Sequence, residues 1–440
     1  MKRQALTLTI LLFFTSLIFG QPATIVSGPM PGHSTMRMVK VWLQTSQPTA
    51  VQIEYKAQDD SMDSWQQSEV IQTQSKFENV ALFELDTEPG ITYTYRVLLD
   101  GVPADIENQL NFKSQTLWQY RTDPPAFTFG LGSCSYINET PYERPGKLYG
   151  DNLDIFSIMN NEPMDFFLWM GDNIYLREVD YDSKAGILKR YNHMKQQPEL
   201  QAFFQGRHHY AIWDDHDFGP NDSDRSYILK EDALDAFELF WANPGYGLTN
   251  ERDGICSNFK WNDCEFFLLD NRYFRSPNKR KNTDHTILGT EQLEWLLDAL
   301  AYSNSSFKFV VIGGQVLNTA AVFENYANTH AEERAYLIES IQQEGIKNVI
   351  FLNGDRHHTE LSMLDEEGSP VMYDFTVSPL TSAAYDALDE PNENRVKGTH
   401  VADHNYGLIE VSGPFRARTL KFIIKDKTGQ LLWEHSIQQQ

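Results

Sequence analysis

Short stretches of alternating apolar and polar residues recur between residues 21 and 122. They lie at 38–43, 50–55, 79–85 and 91–99, and turn-forming residues separate them. Alternation with a period of two is typical of half-buried strands, and their regular spacing predicts a small all-β sandwich of the fibronectin or immunoglobulin type. No group of catalytic or ligand-type residues accompanies these strands. We therefore interpret this segment as a structural or substrate-shaping domain rather than an independent binding domain.

The pattern changes after Asp123-Pro124-Pro125, because two successive prolines cannot continue a central strand. Wholly apolar stretches now alternate with amphipathic ones. This alternation predicts an α/β layered domain over residues 123–440, after an all-β domain over residues 21–122.

Individual elements of the second domain follow from the same pattern. Residues 230–241 and 291–300 carry apolar side chains at helical spacing, with Thr290 as the predicted N-cap of the second helix. The predicted strands lie at 307–312, 347–352, 408–411, 419–425 and 430–435.

Four apolar stretches end abruptly in polar residues that can ligate metals or carry out catalysis. These stretches lie at 127–134, 165–175, 211–222 and 349–358. In open α/β sheets, ligands bind beyond the carboxyl ends of the strands, so four such ends indicate one shared site. Crowded carboxylates repel one another unless cations lie among them. The sequence therefore predicts a hydrolase with several metal ions.

Residues 1–20 differ from the rest of the chain. Lys2 and Arg3 precede an apolar run at 6–19 that ends at Gly20, which is typical of a secretory signal peptide. The run is short for a membrane span, and no later stretch reaches the roughly 18 uninterrupted apolar residues that a span needs. We expect export by the general secretory route, to the periplasm or the exterior, and no membrane span.

The charge balance limits the possible partners. The chain has 37 basic and 61 acidic residues, a net charge of −24, and loss of Lys2 and Arg3 would make it −26. Such a surface repels nucleic acids and anionic lipids, so we expect neither as a partner. An anionic substrate would need local positive charge, which metal ions can supply.

The chain has three cysteines. Cys256 and Cys264 are close enough in sequence to close a hairpin-like disulfide in an oxidising compartment, although the sequence alone does not show that they meet. Cys134 is then left over. Its place at the end of the first core strand favours metal binding.

Two aspartates follow glycines at strand ends, Asp172 after Gly171 and Asp355 after Gly354. A carboxylate in such a turn can bridge two metal ions, although it can also merely cap the turn. His357 lies two residues after Asp355, so in extended backbone both side chains would point to one face and ligate neighbouring ions. His358 would then point the other way, with either a role in supporting the ligands or binding substrate, or a packing role.

Asp215, His216 and Asp217 place one imidazole between two carboxylates. We interpret His216 as the proton donor to a leaving oxygen, with an aspartate that holds its ring; a buried salt-bridge cluster is the alternative. Asn221 offers a neutral oxygen of the kind that hard cations accept.

Two further residues are ambiguous on spacing alone. Tyr175 would normally be assigned to the core. Arg272, in Asp270-Asn271-Arg272, can bind two phosphate oxygens with its planar guanidinium, but a salt bridge to Asp270 explains the spacing equally well.

With these motifs assembled, the segment from about residue 127 onward resembles the PhoD-like alkaline phosphatases, a branch of the metallophosphoesterases. The resemblance rests on Gly132-Ser133-Cys134, Gly171-Asp172-Asn173-Ile174-Tyr175, Trp213-Asp214-Asp215-His216-Asp217, Asp270-Asn271-Arg272, the segment 292–295 and Gly354-Asp355-Arg356-His357. The preceding β-sandwich also fits this family.

The resemblance implies a layered α/β fold with two sheets flanked by helices. It further implies a ferric ion, Fe³⁺, held by Cys134, Asp172, Tyr175 and His357. Calcium, Ca²⁺, would lie beside it on Asp172, Asn221 and Asp355, with Asp215 in or near the shell. Arg272 becomes a candidate for binding the substrate phosphate.

The predicted function is therefore that of an exported alkaline phosphatase that hydrolyses phosphate monoesters, diesters or both. A metal-activated water would attack phosphorus, with His216, Asp215 and Arg272 as catalytic residues. We expect a small phosphoester as the substrate and a monomeric enzyme. The alternative is a non-catalytic exported protein with a structural metal site that binds a glycan or a protein partner.

Overall fold

The structure is a computed structural model that describes residues 21–59, 64–140, 142–248 and 253–440. The predicted signal peptide, residues 1–20, lies outside the described residues. Among the residues described, no helix is long and apolar enough to cross a lipid bilayer.

The amino-terminal part consists of antiparallel strands in two sheets. One sheet has the order β1-β2-β6, and in the other β3 and β7 form the centre. Their apolar faces enclose a separate core that includes Val41, Ile53, Phe83 and Tyr95. The strands are β1 (Ile25–Ser34), β2 (Met38–Thr45), β3 (Ala50–Ala57), β4 (Gln66–Gln67), β5 (Ile71–Gln72), β6 (Val80–Asp86), β7 (Thr92–Leu99), β8 (Val102–Pro103) and β9 (Leu110–Lys113).

The first strand, β1, was not predicted from the sequence. Gly28-Pro29 and Pro31-Gly32 interrupt its alternation, and its pairing with β2 is irregular. Its backbone also contacts the second part of the chain: the His33 amide donates to the Ala242 carbonyl over 2.8 Å. β1 therefore belongs to the small sandwich and to the contact between the two parts.

The second part contains two mixed six-stranded sheets. The first has the order β12-β11-β10-β19-β20-β21, and the second has the order β13-β14-β15-β16-β18-β17. Strands β10, β11 and β12 are mutually parallel, as are β14, β15, β16 and β18. The strands are β10 (Phe127–Gly132), β11 (Phe166–Met170), β12 (His208–Ile212), β13 (Ser257–Trp261), β14 (Cys264–Leu268), β15 (Lys308–Val311), β16 (Val349–Asn353), β17 (Glu360–Leu364), β18 (Met372–Thr376), β19 (Asn405–Ser412), β20 (Thr419–Asp426) and β21 (Leu431–Gln438).

The two sheets pack face to face through aromatic side chains. Phe129 on β10 lies 5.2 Å from Phe266 and 5.3 Å from Phe309 between ring centroids. Helices cover the outer faces, for example α6 and α8 on the second sheet. The helices are α1 (Asp154–Asn160), α2 (Lys184–Lys195), α3 (Pro198–Gln205), α4 (Asp215–Phe218), α5 (Lys230–Phe240), α6 (Thr290–Tyr302), α7 (Tyr326–Thr329) and α8 (Ala331–Gln343). The predicted fold class, two sheets flanked by helices after an all-β region, is confirmed.

One helix start and one cysteine pairing differ from expectation. Gly289, with φ of 79°, precedes the first turn of α6, so Thr290 is its first residue and not its N-cap. Cys256 and Cys264 are both free and buried. In the hairpin of β13 and β14, Trp261 pairs with Cys264 and Ser257 pairs with Leu268. The two cysteines therefore lie towards opposite ends of the hairpin, and the possible disulfide does not form.

Candidate metal centre

The four strand ends singled out in the sequence converge at one place. Strands β10, β11 and β12 are parallel and end at the same edge of the first sheet, and β16 of the second sheet ends beside them. The convergence forms overlapping groups of side chains whose ligand atoms lie within 4.8 Å of one another. These groups are Cys134 with Asp172 and His357; Asp172 with Asp215 and His216; Asp214 with Asp215 and Asp355; and Asp215 with Asp222 and Glu324.

The first group has a sulfur, an oxygen and a nitrogen ligand atom, and Tyr175 adds a phenol. The Cys134 thiol donates to Asp172 Oδ2 over 3.6 Å. The Tyr175 hydroxyl lies 3.0 Å from the same oxygen and 3.2 Å from His357 Nε2. All four residues implied as iron ligands are thus direct neighbours.

Backbone conformation explains how these side chains meet. Cys134, Asp172, Asp355 and His357 all have positive φ, between 52° and 64°. This left-handed region is unfavourable for residues other than glycine and is often maintained at functional sites. The extended backbone that we predicted from Asp355 to His357 is wrong. Two left-handed residues, rather than strand alternation, place their side chains in one cluster.

The glycines before the two aspartates are required by close packing. A Cβ atom on Gly171 would lie 2.7 Å from Asp214 Cβ, and one on Gly354 would lie 2.0 Å from Ser133 Oγ. The strand ends can therefore approach each other closely enough for their carboxylates to share a cation.

The second half of the cluster is formed by oxygen ligands alone. It includes Asp214, Asp222 and Glu324, which we did not predict as ligands from the sequence. Asp214 and Asp222 lie within the run 211–222, and the many acidic residues of that run could have marked both as ligands. Glu324 lies in an irregular segment before α7, and no periodic pattern marks it.

Arg272 is buried in the middle of these carboxylates. Its guanidinium is 2.5 Å from Asp214, 2.9 Å from Glu324 and 3.7 Å from Asp215. The expected alternative, a salt bridge to Asp270, is replaced by backbone contacts, because Asp270 Oδ1 accepts from the Arg272 amide. A role for Arg272 in binding substrate phosphate stays a prediction, and its contacts show that it holds the carboxylates in place.

His216 and Asp217 point in different directions. Asp217 accepts hydrogen bonds from the amides of Asn173, Ile174 and Asp214, so it fixes the loop that carries Asp172. The His216 ring lies against Tyr175, with 4.3 Å between ring centroids. Among the described residues, no carboxylate forms a hydrogen bond with buried Nδ1 of His216. Ligand atoms of Asp215 and His216 lie within 4.8 Å of each other, and an aspartate that holds the ring stays a prediction.

Two cavities open at the cluster. The cluster cavity, about 500 Å³, is lined by Asp172, Asp215, Asp355, His357 and Phe323, among others. The tyrosine cavity, about 690 Å³, lies beside it. Both are bordered by Tyr149, His216 and Asn221. Asn221 is thus at the entrance, where its amide donates to Asp222 over 2.7 Å.

His358 lies outside the cluster. Its Nδ1 is 2.9 Å from the Arg356 carbonyl, and its ring stacks on His400. The structure favours the packing role that we left open for this residue.

Comparison with known proteins decides the family. The family model described as PhoD-like phosphatase matches residues 129–413. The chain belongs to this family. A second model, described as a domain of unknown function (DUF7800), matches residues 22–117 of this PhoD-like chain.

Individual relatives of the PhoD-like chain are distant. Alkaline phosphatase D of Bacillus subtilis (strain 168) is 20% identical over 337 residues. The match covers 63% of this chain and 55% of that relative, so the chain spans little more than half of the relative's length.

Solved structures support the fold. A structure entitled "Structure of PhoD" superposes with a TM-score of 0.73 at 17% identity, covering 97% of this chain and 93% of the other. The purple acid phosphatase PPD1 of yellow lupin gives 0.68 at 10% identity, covering 93% and 74%. The resemblance predicted from the motifs is confirmed.

The electrostatics of the PhoD-like site indicate a need for cations. The four groups contain six carboxylates, from Asp172, Asp214, Asp215, Asp222, Glu324 and Asp355. Burial and neighbouring carboxylates raise the pKa of Asp355 to about 8, and burial raises the pKa of Asp172 well above its usual range. Burial also raises the pKa of the Cys134 thiol to about 12. Asp172, Asp355 and Cys134 can therefore all carry their negative charge at once only if a cation lies among them.

The donor atoms fit metal ions. Oδ1 of Asp172 and Oδ2 of Asp214 are buried without a hydrogen-bond partner in the described part of the chain. Buried polar atoms are normally paired, so these two unpaired oxygens indicate a bound cation. Sulfur, phenol and imidazole ligands suit a transition metal, and the all-oxygen groups suit a hard cation such as calcium.

Proposed function

We propose that this protein is a metal-dependent phosphoric ester hydrolase of the alkaline phosphatase type. One observation carries the proposal: side chains from four distant strand ends lie within 4.8 Å of one another in overlapping groups. Membership of the PhoD-like family supports it. Structural metal sites are usually closed and rich in Cys and His, whereas this one is rich in carboxylates and opens into two cavities.

Fe³⁺ would be held by Cys134, Asp172, Tyr175 and His357. Ca²⁺ would be held by Asp172, Asn221 and Asp355, with Asp215 beside them and with the oxygens of Asp214, Asp222 and Glu324 available in the same cluster. Bound ions would supply positive charge to the phosphate oxygens and lower the pKa of a water nucleophile.

The chain's own residues would orient the ester. His216 borders both cavities, so its imidazole can donate a proton to the leaving oxygen. Burial lowers the pKa of His216, and the neighbouring Asp215 carboxylate opposes that shift. Arg272 would act as a positioning residue, because its guanidinium fixes Asp214 and Glu324.

Substrate size follows from the shape of the opening. The segment 275–288 borders the cluster cavity through Asn278 but leaves the tyrosine cavity open on the other side. Room on both sides of the phosphate favours diesters as well as monoesters. Hydrolysis of p-nitrophenyl phosphate and of its bis ester, in calcium, measures this preference.

Metal analysis of the purified full-length protein, together with its absorption spectrum and turnover of both esters, tests the proposal. We expect bound iron and calcium, a visible band from thiolate and phenolate on ferric iron, and turnover that a chelator abolishes and added metal restores. Metal-loaded protein that binds phosphoesters without turnover would instead support the non-catalytic binding protein.

We further propose that residues 1–20 direct export to the periplasm or the exterior and that the mature protein is a monomer. Lys2, Arg3 and the apolar run at 6–19 support the first point. Amino-terminal sequencing of the exported protein should begin at Gln21, and sedimentation should give the mass of one chain.

A further inference from the structure

The space at the metal cluster is much larger than a phosphate group needs. The cluster cavity of about 500 Å³ shares Tyr149, His216 and Asn221 with the tyrosine cavity of about 690 Å³. Cavities of this size accept whole organic ligands. If the proposed function is correct, most of this volume is left for the group esterified to the phosphate.

Four partly exposed aromatic side chains line the two cavities. Tyr142, Tyr149, Phe323 and Tyr385 are 36%, 42%, 64% and 42% exposed, and we call these four the aromatic rim. Tyr142 and Tyr149 line the tyrosine cavity, and Phe323 and Tyr385 line the cluster cavity. Phe323 and Tyr385 are in edge-to-face contact, with 5.6 Å between their ring centroids. Exposed apolar surface gathered around a cavity marks a binding site.

Phe323 has an additional conformational cost. Its φ is 44°, in the left-handed region that a phenylalanine rarely adopts. Burial does not compensate for this, because the side chain is 64% exposed. Strained backbone that presents a large side chain at a site entrance is typical of a functional constraint.

The rim is positioned next to the reacting groups. Phe323 directly precedes Glu324 of the cluster, and the Tyr149 hydroxyl is 3.3 Å from His357 Nδ1. His216, the proposed proton donor, borders both cavities. A group that fills the rim would therefore lie beside the leaving oxygen that His216 is proposed to protonate.

We propose that the aromatic rim is a leaving-group subsite for a planar aromatic ring, either an aryl group or a nucleobase, which stacks on the exposed tyrosine and phenylalanine rings. Such stacking is favourable for any flat π-system and depends little on ring substituents. The inference rests on the proposed phosphoesterase function and deepens it by naming the class of ester.

The test uses esters that differ only in the ring. Adenosine 5′-monophosphate and ribose 5-phosphate release the same kind of primary alcohol, and their methyl diesters form a second pair. For the metal-loaded full-length enzyme we expect kcat/KM to be at least about tenfold higher for the ester with the base, in at least one pair. Equal kcat/KM within both pairs would overturn the subsite.

Variants of the aromatic rim then test whether these residues cause the preference for the ester with the base. Tyr142→Ala or Tyr385→Ala should reduce the preference to about one- to threefold while ribose ester hydrolysis changes by less than about twofold. Tyr302→Ala, at the exposed end of α6, is the matched control and should keep the full preference. If neither rim variant alters the preference, or both esters lose activity equally, the rim does not bind the ring. Turnover of no ester by metal-loaded protein would refute the phosphoesterase function itself.

Discussion

The Tyr175 hydroxyl donates a hydrogen bond to Asp172 Oδ2 over 3.0 Å, although only two residues separate them in the loop after β11. The left-handed conformation of Asp172 turns the chain so that both side chains face the same point. Asp172 is shared between the sulfur-containing group and the group that it forms with Asp215 and His216.

Substitution of this shared carboxylate tests its role. Asp172→Asn should lower kcat by more than about 100-fold, beyond the 10- to 100-fold typical of residues that only orient ligands. The amide has nearly the same shape, so the melting temperature should change little. Asp165→Asn, directly before β11, is the control, because Asp165 accepts from the Thr128 amide outside the cluster. Full activity of Asp172→Asn with bound metal would contradict a bridging role.

The iron assignment makes a spectroscopic prediction. Tyr175→Phe should remove the phenolate contribution to the visible absorption of iron-loaded protein and leave only the thiolate contribution. Tyr149→Phe is the matched control: its hydroxyl lies 3.3 Å from His357 Nδ1 but is not among the implied ligands. If Tyr149→Phe loses the phenolate absorption and Tyr175→Phe retains it, the iron ligand is Tyr149 and the assignment to Tyr175 is wrong.

Lys195 gives a prediction about stability. Its ammonium is fully buried, 3.4 Å from the centroid of the Trp241 ring and 3.5 Å from Met30 Sδ. Burial holds the pKa of Lys195 well below its usual range. Between that lowered value and about 10.5 the unfolded chain binds more protons than the folded one, so this residue makes stability rise with pH.

Lys195→Met should therefore be at least as stable as the natural protein near pH 7, with a melting temperature unchanged or a few degrees higher. The difference should shrink as pH approaches 10. Lys189→Met, on the exposed side of the same helix, should show no such trend. A large destabilisation by Lys195→Met at pH 7 would show that the cation–π contacts outweigh the cost of burial.

The exposed basic residues Lys279, Arg280 and Lys281 follow Asn278, which borders the cluster cavity. In a protein with a net charge of −24 they should attract anionic substrates. Lys279→Glu with Lys281→Glu should lower kcat/KM about threefold to tenfold at low ionic strength and little at high ionic strength.

Arg121→Glu with Arg416→Glu is the charge-matched control for that pair. These exposed arginines lie near Asp123 and Phe415, at the opposite end of β10 from Cys134. An equal loss of kcat/KM in both double variants would attribute the effect to net charge rather than to local attraction.

The strand ends of the site could be predicted because buried strands in the middle of a sheet are uniformly apolar. The break at Asp172 or Asp355 is therefore visible in the sequence. The conformation after the break was not visible, since nothing in Asp355-Arg356-His357 signals two left-handed residues. The correct residues were thus found with an incorrect local geometry for His357.

Glu324, in contrast, could not be identified as a site residue from the sequence. It enters the site through tertiary contacts, with Arg272, Arg275 and Asn278 all bonded to its carboxylate. No local pattern encodes such contacts. β1 was missed for a related reason: its glycines and prolines are unfavourable in an isolated strand, and pairing with β2 and packing on β12 compensate.

The dual role of β1 bears on how this protein can be shortened for expression. A version that begins near residue 126 would lack Met30 and Trp42, two of the side chains that enclose Lys195. Water would then reach the ammonium and the indole of Trp241, and an apolar face would be uncovered. Such a fragment should be poorly soluble even though it retains every proposed metal ligand.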